Sequence, residues 1–202
     1  MQISRTSEHP WGVSWIAAEP VFMERASHAL AAGGAVWLVD PVDGDGLEEM
    51  IAPLGTVRGV VQLLDRHPRD CAALAEHHRV PLLRLPADGV PDSPFTVIRV
   101  VRLPGWREVA LWWPEHRALV VAEALGTAPY YLAPGSSVGV HPLLRMLPPK
   151  VLDGRDPLHL LTGHGRPLSG DEVATSVHEA LRRSRRDIPG VLGSMGRSRR
   201  SR

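Results

Sequence analysis

The segment Val60–His77 (VVQLLDRHPRDCAALAEH) places a short polar loop between an apolar strand and a helix. The run Val60–Leu64 is typical of a buried β-strand, and the alanine-rich stretch from about Cys71 favours a helix. The loop residues that carry charge or can bind a metal are Asp65, His67, Arg69 and Asp70. Polar residues between a strand end and a helix are where α/β proteins commonly place their functional site. The alternative is that these side chains are only helix caps and solvated charges.

Apolar runs elsewhere predict a strand-rich mixed fold, which the 19 glycines and 19 prolines favour over a helical bundle. The further predicted strands are Ala35–Val39, Val80–Leu85, Phe95–Leu103, Val109–Trp113, Ala118–Ala122 and Leu158–Leu161. The further predicted helices are Leu47–Ile51, His141–Leu147 and Asp171–Arg183. The first 34 residues are harder to interpret, and residues 22–32 could form either a helix or a strand.

Several classes of protein are excluded or disfavoured by what the chain lacks. Its one cysteine, Cys71, allows neither an internal disulfide framework nor a cysteine-based zinc site. No phosphate-binding loop of the G-x-x-x-x-G-K-[ST] type is present. The chain has no apolar run near 18 residues and no apolar core of a signal peptide at its start, so we predict no membrane span and a cytoplasmic location.

The charge distribution separates a body from a tail. Residues 182–202 contain eight arginines and one acid, which leaves 15 basic and 21 acidic residues in the rest of the chain. We therefore predict one domain over residues 1–187 and a disordered basic tail over residues 188–202. The acidic body argues against an extended nucleic-acid surface, whereas the tail is a candidate for contacts with nucleic acid.

Five landmarks occur in an order that resembles the metallo-β-lactamase fold family, over about Ala35–Arg183. They are Asp40-Pro41, the Asp65–Asp70 loop, Pro104-Gly105-Trp106, Glu123 and Gly163-His164-Gly165. The resemblance implies an α/β fold, a four-layered αββα sandwich with its site at one edge of the two sheets.

The family's strand-loop-helix carries His-x-His-x-Asp-His, and in this alignment only His67 keeps its residue. The resemblance implies a first metal position at Asp65, His67 and Trp106, and a second at Arg69, Asp70 and His164, with Glu123 between them. Tryptophan cannot bind a metal and arginine repels one, so we predict a degenerate site without a dinuclear centre and without a cofactor.

The alternative is that one zinc or other divalent metal binds. The candidate ligands for that single ion are His67, Glu123, His164, Asp65 and Asp70. We expect Trp106 to line a pocket. Our hypothesis for Arg69 is that its guanidinium stands in for the metal and pairs with Asp70 and with Asp65 or Glu123.

Three functions follow. The first is a divergent pseudoenzyme of this fold that acts as a binding or regulatory module for a small ligand or a protein. The second is a mononuclear metal-dependent hydrolase of an ester, thioester or phosphoester. The third is a scaffold whose basic tail contacts nucleic acid or an acidic partner. The pair His77-His78, at the end of the helix that follows the loop, is expected to be exposed.

Overall fold

The first 84 residues form a six-stranded sheet in the computed structural model, which describes residues 1–18 and 23–188. Its strands are β1 (Ile3–His9), β2 (Gly12–Ala17), β3 (Ala26–Ala32), β4 (Ala35–Val39), β5 (Thr56–Gln62) and β6 (Leu82–Arg84). Neighbours in this sheet follow chain order, antiparallel as far as β4 and parallel from β4 to β6. Parallel pairs need crossovers, which helices α1 (Leu47–Ile51) and α2 (Cys71–His78) supply.

The remaining strands form a second sheet and a small separate ribbon. They are β7 (Thr96–Leu103), β8 (Trp106–Trp113), β9 (Ala118–Val121), β10 (Leu125–Gly126), β11 (Gly139–Val140), β12 (His159–Thr162) and β13 (Leu168–Ser169). The five-stranded sheet has the order β13-β12-β9-β8-β7, in which only β12 and β9 are parallel. Strands β10 and β11 pair with each other, and helix α3 (Glu172–Arg183) follows β13.

Alternation along β4 shows how the layers are stacked. Trp37 and Val39 enter the main core, which they share with residues of the second sheet such as Leu111. Val36 and Leu38 point to the other face, into a core that includes apolar residues of α1 and α2. Apolar residues of α3 belong to the main core. The four-layered αββα sandwich expected from the sequence is confirmed.

Most of the predicted elements lie close to the observed ones, and two regions differ from or complete the prediction. Residues 22–32, for which the sequence allowed a helix or a strand, contain strand β3. The helix predicted over His141–Leu147 is wrong: the chain forms only a 3-10 turn, Pro142–Leu144, and 3-10 turns rarely extend beyond three or four residues. The predicted tail lies, apart from Ile188, outside the described residues, so the domain boundary stays a prediction. Among the described residues, no helix is long and apolar enough to cross a membrane.

A buried histidine connects the two sheets. His28 of β3 is 1% exposed, and its Nε2 lies 3.1 Å from the carbonyl oxygen of Thr162 in β12. Because a carbonyl only accepts, Nε2 carries the proton, and the Ser14 hydroxyl donates to Nδ1 at 2.8 Å. Burial lowers the pKa of His28 to about 4. The side chain is therefore neutral in the folded protein at neutral pH.

This pKa predicts a pH-dependent share of stability. The unfolded chain binds a proton at His28 near pH 6.5, whereas the folded chain binds it only near pH 4, so stability rises with pH between these values. From pH 7.5 to 4, the stability of the wild type relative to His28→Gln should fall by roughly 3 kcal/mol. Urea unfolding at several pH values measures this difference, and a constant difference would show that His28 is not held neutral.

Candidate functional site

Asp40 ends β4 and orients the loop that carries His67. Its φ of 42° lies in the left-handed region, so the chain leaves the strand sharply. Its Oδ1 accepts a hydrogen bond from the backbone N–H of Leu63 at 2.9 Å. Its Oδ2 lies 3.2 Å from Nδ1 of His67. The Asp40 carboxylate therefore fixes the end of β5. It also orients the His67 ring so that the Nε2 edge faces away from Asp40.

Three buried side chains meet at that other edge of the ring. His67, Glu123 and His164 are 5%, 8% and 4% exposed. Nε2 of His67 lies 3.2 Å from Oε1 of Glu123 and 3.2 Å from Nε2 of His164. Nε2 of His164 lies 3.7 Å from the same Glu123 oxygen. The three atoms form a small triangle, at the point where β12 delivers His164 beside the β5–α2 loop.

Hydrogen-bond partners on the outer side determine what this triangle can hold. Nδ1 of His164 lies 2.9 Å from the carbonyl oxygen of Met23, which can only accept, so this nitrogen carries a proton. Nδ1 of His67 faces the Asp40 carboxylate and donates in the same way. With these protons on Nδ1, both Nε2 atoms face the Glu123 carboxylate, which can only accept when it is ionised. The centre of the triangle needs a cation, either a proton or a metal ion.

Comparison with known proteins places this arrangement in a fold. No protein-family model matches the sequence, and no curated protein matches it. Solved structures do match: the DIM-1 metallo-β-lactamase exposed to ceftazidime is 11% identical with a TM-score of 0.59, over 94% of this chain and 97% of that one. The mono-zinc form of the FIM-1 metallo-β-lactamase from Pseudomonas aeruginosa is 10% identical with a TM-score of 0.54, over 92% and 97%.

The chain has the metallo-β-lactamase fold. A metallo-β-lactamase from Pontibacter korlensis, 12% identical with a TM-score of 0.52 over 90% of this chain and 99% of that one, agrees. At these identities the likeness establishes the fold alone. What this chain's own site can bind is decided by its residues.

The triangle fits one small divalent ion of the zinc type. Zinc ligands at about 2.0–2.1 Å in tetrahedral geometry are separated from one another by about 3.4 Å, and the edges here are 3.2, 3.2 and 3.7 Å. Ligand histidines commonly donate their other ring N–H to a carboxylate or a carbonyl, as His67 and His164 do here. The residues that would hold an ion in this metallo-β-lactamase fold are therefore His67, Glu123 and His164.

Two of the predicted ligands point elsewhere. The Asp65 carboxylate accepts a hydrogen bond from the backbone N–H of Arg107 at 3.0 Å. The Asp70 carboxylate accepts one from the backbone N–H of Asp43 at 2.9 Å. The structure therefore brings together His67, Glu123 and His164 out of the five candidate ligands.

Arg66, which the sequence reasoning missed, reaches the site in place of Asp65. Its guanidinium forms an ion pair with Oε2 of Glu123 and lies 4.1 Å above the ring of Trp106. Trp106 is 5% exposed, so it forms a buried floor beneath the arginine. Burial raises the pKa of Glu123, but the neighbouring His164 and His67 rings and the charge of Arg66 outweigh this effect and hold the pKa far below its usual range.

Arg69 does not make the carboxylate pairs expected from the sequence. Its guanidinium donates to three backbone carbonyls, those of Ala26, Asp40 and Gly163. The physical reason is that the Asp65 and Asp70 carboxylates are already bound to backbone N–H groups, whereas Arg66 takes Glu123. The guanidinium of Arg69 still adds a fixed positive charge that acts on Glu123.

Glu108 of β8 positions Glu123 and was also missed. It is 1% exposed, and its Oε1 accepts the backbone N–H groups of Ala122, Glu123 and Ala124 at 2.9–3.1 Å. Its Oε2 accepts the Trp106 indole N–H at 3.3 Å. Burial raises the pKa of Glu108 to about 7. The only signal in the sequence was an acid at a strand position whose alternate neighbours, Trp106 and Ala110, are apolar.

Replacing Glu108 with Gln should destabilise the fold by about 1–3 kcal/mol at pH 8. If the amide oxygen accepts the three backbone N–H groups, its NH₂ group faces the indole N–H of Trp106, donor against donor. Urea unfolding measures the change, and the exposed turn residue Glu115, replaced with Gln, is the matched control with an expected effect within about 0.5 kcal/mol. Equal effects of the two substitutions would contradict the positioning role of Glu108.

Replacing Arg69 with Ala should cost roughly 3 kcal/mol or more, because three carbonyls at the strand ends lose their donor. Arg69→Lys should recover only part of this, since one ammonium cannot reproduce the planar fork. The exposed Arg58 of β5, replaced with Ala, is the control. A loss for Arg69→Ala no larger than for Arg58→Ala, in the same unfolding measurement, would show that the clamp is not needed.

Proposed function

We propose that this protein uses the metallo-β-lactamase fold as a binding or regulatory module and has no dinuclear metal hydrolase chemistry. The observation that supports this is the ion pair between Arg66 and Glu123. The carboxylate that the resemblance assigns between two metal ions has one oxygen committed to a guanidinium. The buried charge of Arg69 lies close enough to act on the same carboxylate. Two guanidinium groups therefore act on the carboxylate that would lie between a pair of divalent ions.

Repulsion between a guanidinium and a divalent ion would be large at this site. Two unit charges 4 Å apart interact by about 4 kcal/mol at an effective dielectric constant near 20, and a divalent ion beside one guanidinium would face about twice that. The attraction of the ionised Glu123 is already shared with Arg66. A second metal ion would then lack a ligand set as well, because the Asp65 and Asp70 carboxylates are bound to backbone N–H groups.

The partner of such a module is a small ligand or a protein. The Arg66 side chain is 40% exposed although its guanidinium is held over Trp106. A ligand with a carboxylate or phosphate group could therefore pair with Arg66 from the solvent side. The basic stretch of residues 182–202 remains a separate proposal, as a contact for nucleic acid or an acidic partner.

A mononuclear metal-dependent hydrolase is the second candidate, and the triangle of three acceptors favours it. His67, Glu123 and His164 would hold the ion. When bound, such an ion polarises a carbonyl or phosphoryl oxygen and activates water. In this chain, Asp40 and the Met23 carbonyl would hold the two histidine rings in the required orientation.

Hydrolysis assays separate the two candidates. The purified protein is incubated with a chromogenic cephalosporin, an aryl thioester and an aryl phosphodiester, with and without added Zn²⁺. For a module we expect no turnover above the buffer rate. Turnover that is abolished by His164→Ala would overturn the proposal in favour of the hydrolase.

The affinity of the triangle for Zn²⁺ tests whether the ion pair between Arg66 and Glu123 opposes metal binding. Removing the guanidinium in Arg66→Ala should raise the affinity of the triangle for Zn²⁺ at least tenfold, measured by competition with a chromophoric chelator. The neighbouring Arg107, whose side chain is 70% exposed and contacts Asp65 instead, gives the control Arg107→Ala. If wild type and Arg66→Ala bind equally and His164→Ala abolishes a stoichiometric zinc in both, Arg66 does not exclude the metal.

A further inference from the structure

A second group of possible metal ligands lies on the helical layer, away from the triangle. Glu48 is in the first turn of α1, and His77 and His78 end α2. Nε2 of His77 lies 3.5 Å and Nε2 of His78 lies 3.2 Å from the same oxygen, Oε1 of Glu48. The side chains of His77 and Glu48 are 63% and 53% exposed, as expected for His77 from the sequence, whereas His78 is only 13% exposed.

These contacts do not have the alignment of hydrogen bonds. Nε2 of His78 is shielded from solvent and has no hydrogen-bond partner among the described residues, although the Glu48 oxygen is 3.2 Å away. The rings of His77 and His78 are inclined at 81° with centroids 4.9 Å apart. Ligand atoms of the three residues all lie within 4.8 Å of one another. The three residues thus offer ligand atoms close enough together to bind one ion.

We propose that Glu48, His77 and His78 bind a divalent cation of the zinc class. Two imidazole nitrogens and one carboxylate oxygen form a ligand set suited to Zn²⁺, Co²⁺ and Ni²⁺ rather than to Ca²⁺ or Mg²⁺. Two of the separations, 3.2 and 3.5 Å, are close to the roughly 3.4 Å between ligands of a tetrahedral zinc ion. Water completes the coordination on the exposed side.

The bound ion would join two helices that cross from strand to strand. Leu47 and Ile51 of α1 and Leu74 of α2 pack into the core on the outer face of the first sheet. Glu48 and the two histidines extend the contact of these helices to the surface. Because α2 begins immediately after the loop of His67 and Arg69, the ion would anchor the end of α2 that lies farthest along the chain from that loop. The site is independent of the proposed function.

Zinc titration of the chelator-stripped protein tests the site. We expect Glu48→Gln and His77→Ala to weaken Zn²⁺ binding at this site at least tenfold, measured by competition with a chromophoric chelator. The neighbouring acid of the same turn gives the matched control Glu49→Gln, with a change below twofold. The variant His164→Ala, which alters only the triangle, should also leave this binding unchanged, so the two sites are distinguished. Circular dichroism verifies that each variant is folded.

Two further readouts report the ion directly. Co²⁺ should give the visible absorption of a nitrogen- and oxygen-ligated site in His164→Ala, in which the triangle is disrupted, and lose it in the double variant His164→Ala/Glu48→Gln. Saturating Zn²⁺ should raise the melting temperature of His164→Ala and leave that of the double variant unchanged. Zinc binding only at millimolar concentration, or an affinity unaltered by Glu48→Gln and His77→Ala, would overturn the proposal.

Discussion

One buried guanidinium joins the ends of three strands. Arg69 donates to the carbonyl of Ala26 at the start of β3, to that of Asp40 at the end of β4, and to that of Gly163 just after β12. The first two belong to one sheet and the third to the other. Burial lowers the pKa of Arg69, and the charge of Asp40 offsets part of this effect. Since His164 follows Gly163 directly, the position of the triangle depends on this clamp.

The two buried carboxylates of the site have different partners. Glu108 is innermost and is satisfied by backbone N–H groups and an indole, without an arginine partner. Glu123 comes next and is shared between two histidines and Arg66. Glu108 therefore has a full set of donors from the protein, whereas Glu123 has the guanidinium of Arg66 on one oxygen and two histidine rings beside the other.

The sequence predicted the helices and strands of the sandwich better than the side-chain contacts of the site. A continuous apolar run identified β4, and the alanine-rich stretch identified α2, because hydrophobic pattern and helix propensity are local properties. The order of the five landmarks predicted that His67, Glu123 and His164 belong to one site. Which loop side chain faces that site could not be predicted, because the direction of Asp65 is set by a backbone N–H of Arg107 on the other sheet. The partners of Arg69 are backbone carbonyls, and because every residue has one, the sequence does not indicate which of them an arginine binds.

The bond between His28 and Thr162 spans 134 positions of the chain, and this separation has a consequence for how the protein is made. Strand β12 fills the place beside β9 only after the intervening 37 residues have been synthesised. Until then a nascent chain exposes the edge of β9, where an unpaired strand invites association with other chains. Contacts between segments so far apart in the sequence slow folding, since the chain loses conformational entropy before the burial of these segments stabilises it. Because His164 lies just after β12, the triangle can form only once this last part of the second sheet has been synthesised.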